Sequence, residues 1–158
     1  MHSRIYQVSE NPIEEFIGEY RYEDGFVGEL ADYVAEVAKD SDSYIEDLKW
    51  LNNAKGLEVD IEKKTVKVVS KRDYFEEKHE EFQKELEELE LTTLDEFCKE
   101  NYPLISKMYN LECAFNNKRG FYMDDNDEYF GIITLDNWVR SAEEGKSYHI
   151  GTITDYHF

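Results

Sequence analysis

The spacing of apolar positions changes character along the chain, and each change marks an element. Arg4 to Val8 is rich in β-branched and aromatic residues and predicts a short strand. Asn11-Pro12 then offers a cap followed by proline at a first helical position. Glu14 and Glu15 fall in that first turn, and Gly18 closes a short helix. From Val27 the period is helical, with Val27, Leu30, Ala31, Val34, Val37 and Ala38 on one face and Asp24 as cap. Ser43-Tyr44-Ile45-Glu46 fits a capping box for a further helix, with Ile45, Leu48, Leu51 and Trp50 turned inward and Gly56 as its left-handed stop.

The period then falls to two. Leu57, Val59 and Ile61 alternate with acids, and Val66 and Val68 alternate with Lys67, so the chain predicts a hairpin turning over Glu62-Lys63-Lys64-Thr65. Asp73 to Leu91 carries Phe75, His79, Phe82, Leu86 and Leu89 in a seam of four- and three-residue steps, the pattern of a long helix. Thr93 to Glu96 is a second capping box. Pro103 is expected to break or bend the helix that follows, before a stretch through Leu104, Met108, Leu111 and Phe115. Strands are expected over Gly120 to Met123, Tyr129 to Leu135 and Tyr148 to Tyr156. Between the last two lies a short helix capped by Asp136, bearing Trp138 and Val139 and closed by Gly145. Together these elements predict one α+β domain over residues 1–158, its helices packed on one side of a largely antiparallel sheet.

Charge changes this picture from a fold to a set of partners. Thirty-seven Asp and Glu face eighteen Lys and Arg in 158 residues, a formal charge of −19. Such a surface repels nucleic acid and anionic membrane and attracts basic proteins. A chain that is 41% hydrophobic and 15% aromatic still has the material for a core, unlike a disordered acidic tail. The charge is uneven. Glu10 to Asp47 holds thirteen acids against Arg21 and Lys39, and Asp73 to Glu100 holds twelve against Lys78, Lys84 and Lys99. Between them, the hairpin region is mildly basic.

Two carboxylate rows follow if both acidic blocks are helical, because residues three and four apart are neighbours on a helix. One contains Glu14, Glu15, Glu19, Glu29, Asp32 and Glu36; the other contains Glu76, Glu77, Glu80, Glu81, Glu87, Glu88 and Glu90. Tyr20, Tyr22, Tyr33 and Tyr44 lie within the first block, and tyrosine suits interfaces by joining apolar area to a polar tip. The leading expectation is a non-enzymatic, cytoplasmic domain that binds a basic protein. Its sharpest form inhibits a nucleic-acid-binding protein or nuclease, as a nucleic-acid mimic or an immunity-like partner. Ordinary solvated surface is the competing reading of the same charge.

Catalytic chemistry leaves no comparable trace. Cys98 and Cys113 stand fifteen positions apart without metal-ligand spacing and read as reduced, buried thiols. Asp124 to Glu128 resembles a calcium loop, but Tyr129 occupies the glycine position and Leu135 the glutamate position, so a solvated turn is expected. No phosphate loop or nucleophile elbow occurs, and no cofactor, metal or catalytic residue is assigned. No apolar run approaches the roughly 18–20 residues of a membrane span, and the first residues lack a secretory apolar segment. The alternative expectation is an enzyme or small-ligand site lined by Tyr122, Tyr129, Trp138, Tyr148 and His149.

Overall fold

The computed structural model describes residues 1–18, 20–23, 26–99, 102–125 and 131–158. Its centre is the longest strand, β7 (Ser147–His157), which pairs along one edge with β1 (His2–Ser9). The other edge of β7 is shared, with β4 (Thr65–Val68) pairing near its start and β2 (Tyr33–Glu36) near its end. The hairpin partner β3 (Leu57–Asp60) extends the sheet beyond β4. On the far side β1 carries β5 (Tyr122–Asp125) in parallel, followed by β6 (Ile132–Thr134). All the other pairings are antiparallel. The protein is therefore α+β, with a seven-stranded, mostly antiparallel sheet.

Alternation along β1 sends side chains to two cores. Tyr6 and Val8 face one side, where α2 (Asp42–Asn52) and α6 (Leu135–Ser141) bring Leu48, Leu51, Trp138 and Val139 against Val66, Val68, Ile150 and Ile153. Ile5 faces the other, with Tyr22, Phe26, Ala31, Tyr122 and Tyr156. A bulge between Tyr6 and Val8 shifts the register against β7. There Gly151 leaves room for the buried amide of Gln7, since a Cβ would stand 2.4 Å from Gln7 Oε1. That oxygen accepts from the backbone N–H groups of Thr152 and Ile17, and the Gln7 amide nitrogen donates to the Glu15 carbonyl. One side chain thus fixes both the bulge and the loop after β1.

This tether corrects the helix expected after Pro12. Residues 10–18 form an irregular segment whose backbone groups serve Gln7 instead of a helical ladder, and a single turn follows as α1 (Tyr20–Glu23). The helix expected over 27–38 is also replaced. Gly28 takes φ +92, a tight turn ends at Ala31, and β2 completes the edge of β7. Val34 and Val37 suit an extended backbone as well as a helical period, and the free edge of β7 decides between them. The α2 cap is Ser41, whose side chain accepts from Tyr44 N–H, rather than Ser43. Trp50, expected inward, is 42% exposed. The hairpin falls where its alternation places it, and so does the capping box of α4 (Leu94–Phe97).

The long helix α3 (Lys71–Glu90) starts from Ser70, and its main packing partner is α5 (Tyr102–Phe115) rather than the sheet. Pro103 does not break a helix but lies in the first turn of α5, where its missing N–H leaves no helical bond unmade. The three helices form an arm. Its foot closes on α6, which is capped by Thr134 rather than Asp136. Among the described residues, no helix is long and apolar enough to cross a membrane.

Candidate docking surface

The foot of the arm is built around Asp136, which is 3% exposed. One carboxylate oxygen accepts from the Tyr74 hydroxyl at 2.8 Å and lies 3.2 Å from Lys78 Nζ; the other accepts from Asn117 N–H at 2.9 Å. Burial first, and the Asp136 charge second, hold the Tyr74 hydroxyl far above its ordinary pKa. Arg140 lies between the rings of Phe75 and Phe115, 4.7 and 4.6 Å from their centroids, and Lys71 Nζ donates to the Arg140 carbonyl. Both feet of the arm, the start of α3 and the end of α5, are thus tied to α6.

Beyond the foot, apolar side chains are left uncovered. On α5, Leu104, Lys107, Leu111 and Ala114 share the face that is half-buried or buried. Tyr102, Ile105, Met108 and Tyr109 recur at helical spacing on the other side, with Ile105 62% and Met108 59% exposed. Leu91, Leu94 and Phe97, towards the other end of the arm, are also exposed. Glu87 and Glu90 on α3, Asp95 and Glu96 on α4, and Glu112 on α5 are exposed on the same arm, with Lys99 and Lys107 near Glu96 and Lys118 paired with Glu112. Monomeric proteins rarely expose many large apolar side chains together, and such exposure marks a candidate interaction surface. Inside the arm, Glu85 is 8% exposed, and its Oε2 has no hydrogen-bond partner among the described residues.

The two carboxylate rows fare differently. Glu76, Glu77, Glu80, Glu81, Glu87 and Glu90 are exposed on α3, with Glu88 half-buried, although Lys55 pairs with Glu76 and Glu77 at 3.7 and 3.1 Å. The other row is not helical. Glu14 and Glu15 lie on the loop after β1, Glu29 and Asp32 on the turn before β2, and Glu36 at the end of β2. Tyr33 is 46% exposed and stacks on His157, whose ring is also 3.1 Å from Asp32. Tyr22 is not available to a partner: it is buried, and its hydroxyl donates to Asp124. Asp124, expected in a solvated turn, is fully buried on β5 and takes Arg21 through two nitrogens at 2.7 and 3.1 Å. Glu19 and Tyr129 lie outside the described residues, as does the side chain of Tyr20.

Among the described residues, those expected to line an aromatic pocket in the C-terminal sheet are not brought together. Trp138 and Tyr148 pack edge-to-face in one core, Tyr122 lies in the other, and His149 sits half-buried on β7 opposite Thr65 and Ser9. Cys98 is exposed rather than buried, and both cysteines are free. Among the described residues no group of three or more His, Cys, Asp or Glu is placed to hold a metal ion. The uncovered face of α5 escaped the sequence pattern because Leu104, Met108, Leu111 and Phe115 satisfy a core period taken alone. The extra apolar positions Tyr102, Ile105 and Tyr109 widen that stripe beyond what one packed face needs, and this width is the readable sign. Comparison with protein-family models, with curated proteins and with solved structures finds no match.

Proposed function

We propose that this protein is a non-enzymatic docking domain whose arm, α3 to α5, binds a basic amphipathic helix of another protein. The observation that carries the reading is the exposure of Tyr102, Ile105 and Met108, with Leu94 and Phe97, on an arm rich in exposed acids. Apolar area supplies affinity once water is excluded, and the excess of acids on α3 favours Lys and Arg on the flanks of the incoming helix. A second copy of this chain is a poor occupant, because it brings another −19 to the same contact. Inhibition of a nucleic-acid-binding protein or nuclease is the sharper form of the reading, and only α3 offers it a helical row of carboxylates.

Steering by charge gives the test its signature. The triple variant Glu87→Lys, Glu88→Lys, Glu90→Lys is expected to slow association with a basic amphipathic peptide by about tenfold at low salt, with a smaller change in dissociation. Unchanged association across salt concentrations would remove the arm's charge from the account.

A further inference from the structure

We propose a second site, independent of the docking face: the cleft at the foot of the arm binds a small amphipathic anion, a flat apolar body bearing one carboxylate or phosphate. The cleft measures about 450 Å³, within the range of small-ligand sites. Its apolar wall is Trp50, Ala54, Phe121 and Leu135. The Trp50 and Phe121 rings stand perpendicular with centroids 4.7 Å apart, and Trp50 remains 42% exposed beside the opening. The Arg4 guanidinium lies 5.5 Å from the Trp50 ring centroid, so a flat ring entering here would add to the contacts of an indole that is already packed by Arg4 and Phe121 and still partly in water.

The charges on the cleft decide the sign of the ligand. Asp73, Glu77 and Asp136 line it together with Lys55, Lys78 and Arg119, a local balance in a strongly acidic molecule. The acids are already matched. Asp136 is filled by Tyr74, Asn117 and Lys78; Glu77 holds Lys55; and Asp73 lies in the first turn of α3, where the helix dipole favours it. The bases are not. Lys78 has three N–H groups and makes one described contact through them, with Asp136. The Arg119 guanidinium lies 5.3 Å from the Tyr109 ring centroid and 5.6 Å from that of Phe158. It is on an exposed residue, and no hydrogen bond or ion pair to it is found among the described residues. A guanidinium with unspent donors is the natural partner of a carboxylate or phosphate. Lys78 stands on α3 and Arg119 just beyond α5, so an anion held by both would bridge the two feet of the arm.

Calorimetric titration with indole-3-carboxylate and phenyl phosphate tests the site, with neutral indole and inorganic phosphate as half-ligands. At least one of the two whole anions is expected to bind with Kd below about 1 mM, and each half-ligand at least tenfold more weakly. Arg119→Gln alters an exposed side chain and is expected to keep the unfolding temperature, whereas Trp50→Ala also gives up the contact with Phe121 and is expected to lower it; each is expected to weaken the anion about tenfold, measured below the unfolding temperature. Bound anion is expected to slow amide exchange at residues 74–78 and 117–121. The proposal is overturned if neither anion binds up to about 10 mM, if indole binds as tightly as its carboxylate, or if Arg119→Gln binds as the parent does. Failure here leaves the peptide-binding reading of α5 standing, since the lining residues named here are not those of the docking face.

Discussion

Asp136 and Asp124 illustrate how little a carboxylate's place in the sequence says about its work. Asp124 opens a run of acids and Asp136 stands alone in an apolar stretch, yet each is buried and saturated with donors, Asp136 at the foot of the arm and Asp124 under Arg21 and Tyr22. Asp136→Ala strips the partner from the buried Tyr74 hydroxyl and from Asn117 N–H. We expect a loss of roughly 3 kcal/mol by chemical denaturation, the order for losing bonds to a charged group with buried donors left behind. Amide exchange in α3 and α5 should rise more than in β1 and β7. Uniform exchange would show that Asp136 does not anchor the arm. The tyrosines carry a second consequence. Burial raises the pKa values of Tyr6, Tyr22, Tyr44, Tyr74, Tyr122 and Tyr156, with Tyr44 and Tyr156 pushed up to about 12. Unfolded tyrosine loses its proton near pH 10. A folded pKa above the unfolded one gives stability that is complete below pH 10 and is lost as pH rises through the folded values. Unfolding monitored by tyrosinate absorbance should therefore be cooperative and begin above pH 10. A gradual titration of all twelve tyrosines near pH 10, with the fold intact, would contradict this burial.

At the scale of elements, local pattern was a good guide where neighbours agreed with it and a poor one where a single tertiary contact outweighed it. The hairpin of β3 and β4, the long α3 and the capping box of α4 follow from spacing and caps alone. The segment 27–38 does not, because Val34 and Val37 serve either period and the edge of β7 was invisible to any local reading. The loop 10–18 depends on Gln7, an amide on a strand, whose reach across to Glu15 and Ile17 leaves no periodic trace. The acidic character of the candidate site was legible, and its apolar centre was not, since exposure of Ile105 and Met108 depends on which side of α5 meets α3. Gly151→Ala should test the Gln7 junction: its Cβ collides with Gln7 Oε1, and the cost is expected at about 1–3 kcal/mol. Rapid proteolysis within 10–18 should accompany it; a protease-resistant loop would show that Gln7 does not hold that segment. Glu85→Leu should act in the opposite direction. It removes a buried oxygen without a described partner and is expected to stabilise the arm by about 1 kcal/mol or more, read as a raised denaturation midpoint. A lowered midpoint would mean that Glu85 is satisfied within the arm.

For the whole molecule, the division of labour runs between a sheet with two cores and an arm that spends little of its apolar surface on either. The sheet buries Tyr6, Leu48, Trp138 and Ile153 almost completely, and the arm keeps Leu94, Phe97, Tyr102 and Ile105 more than half exposed. A charge of −19 opposes the approach of like-charged copies, and on the proposed reading the same field draws cationic partners toward the arm. The account stands or falls on whether the arm binds through apolar contact inside that field. The measurement is fluorescence anisotropy of a labelled Leu/Lys amphipathic helix, titrated with the parent and with the double variant Ile105→Glu, Met108→Glu. Both changes lie on exposed positions and are expected to leave the unfolding temperature unchanged. The account expects saturable binding by the parent at moderate salt, and at least a tenfold loss in the variant that low salt does not restore. Equal binding by parent and variant, vanishing together as salt rises, would reduce the acidic surface to charge alone and contradict the docking face.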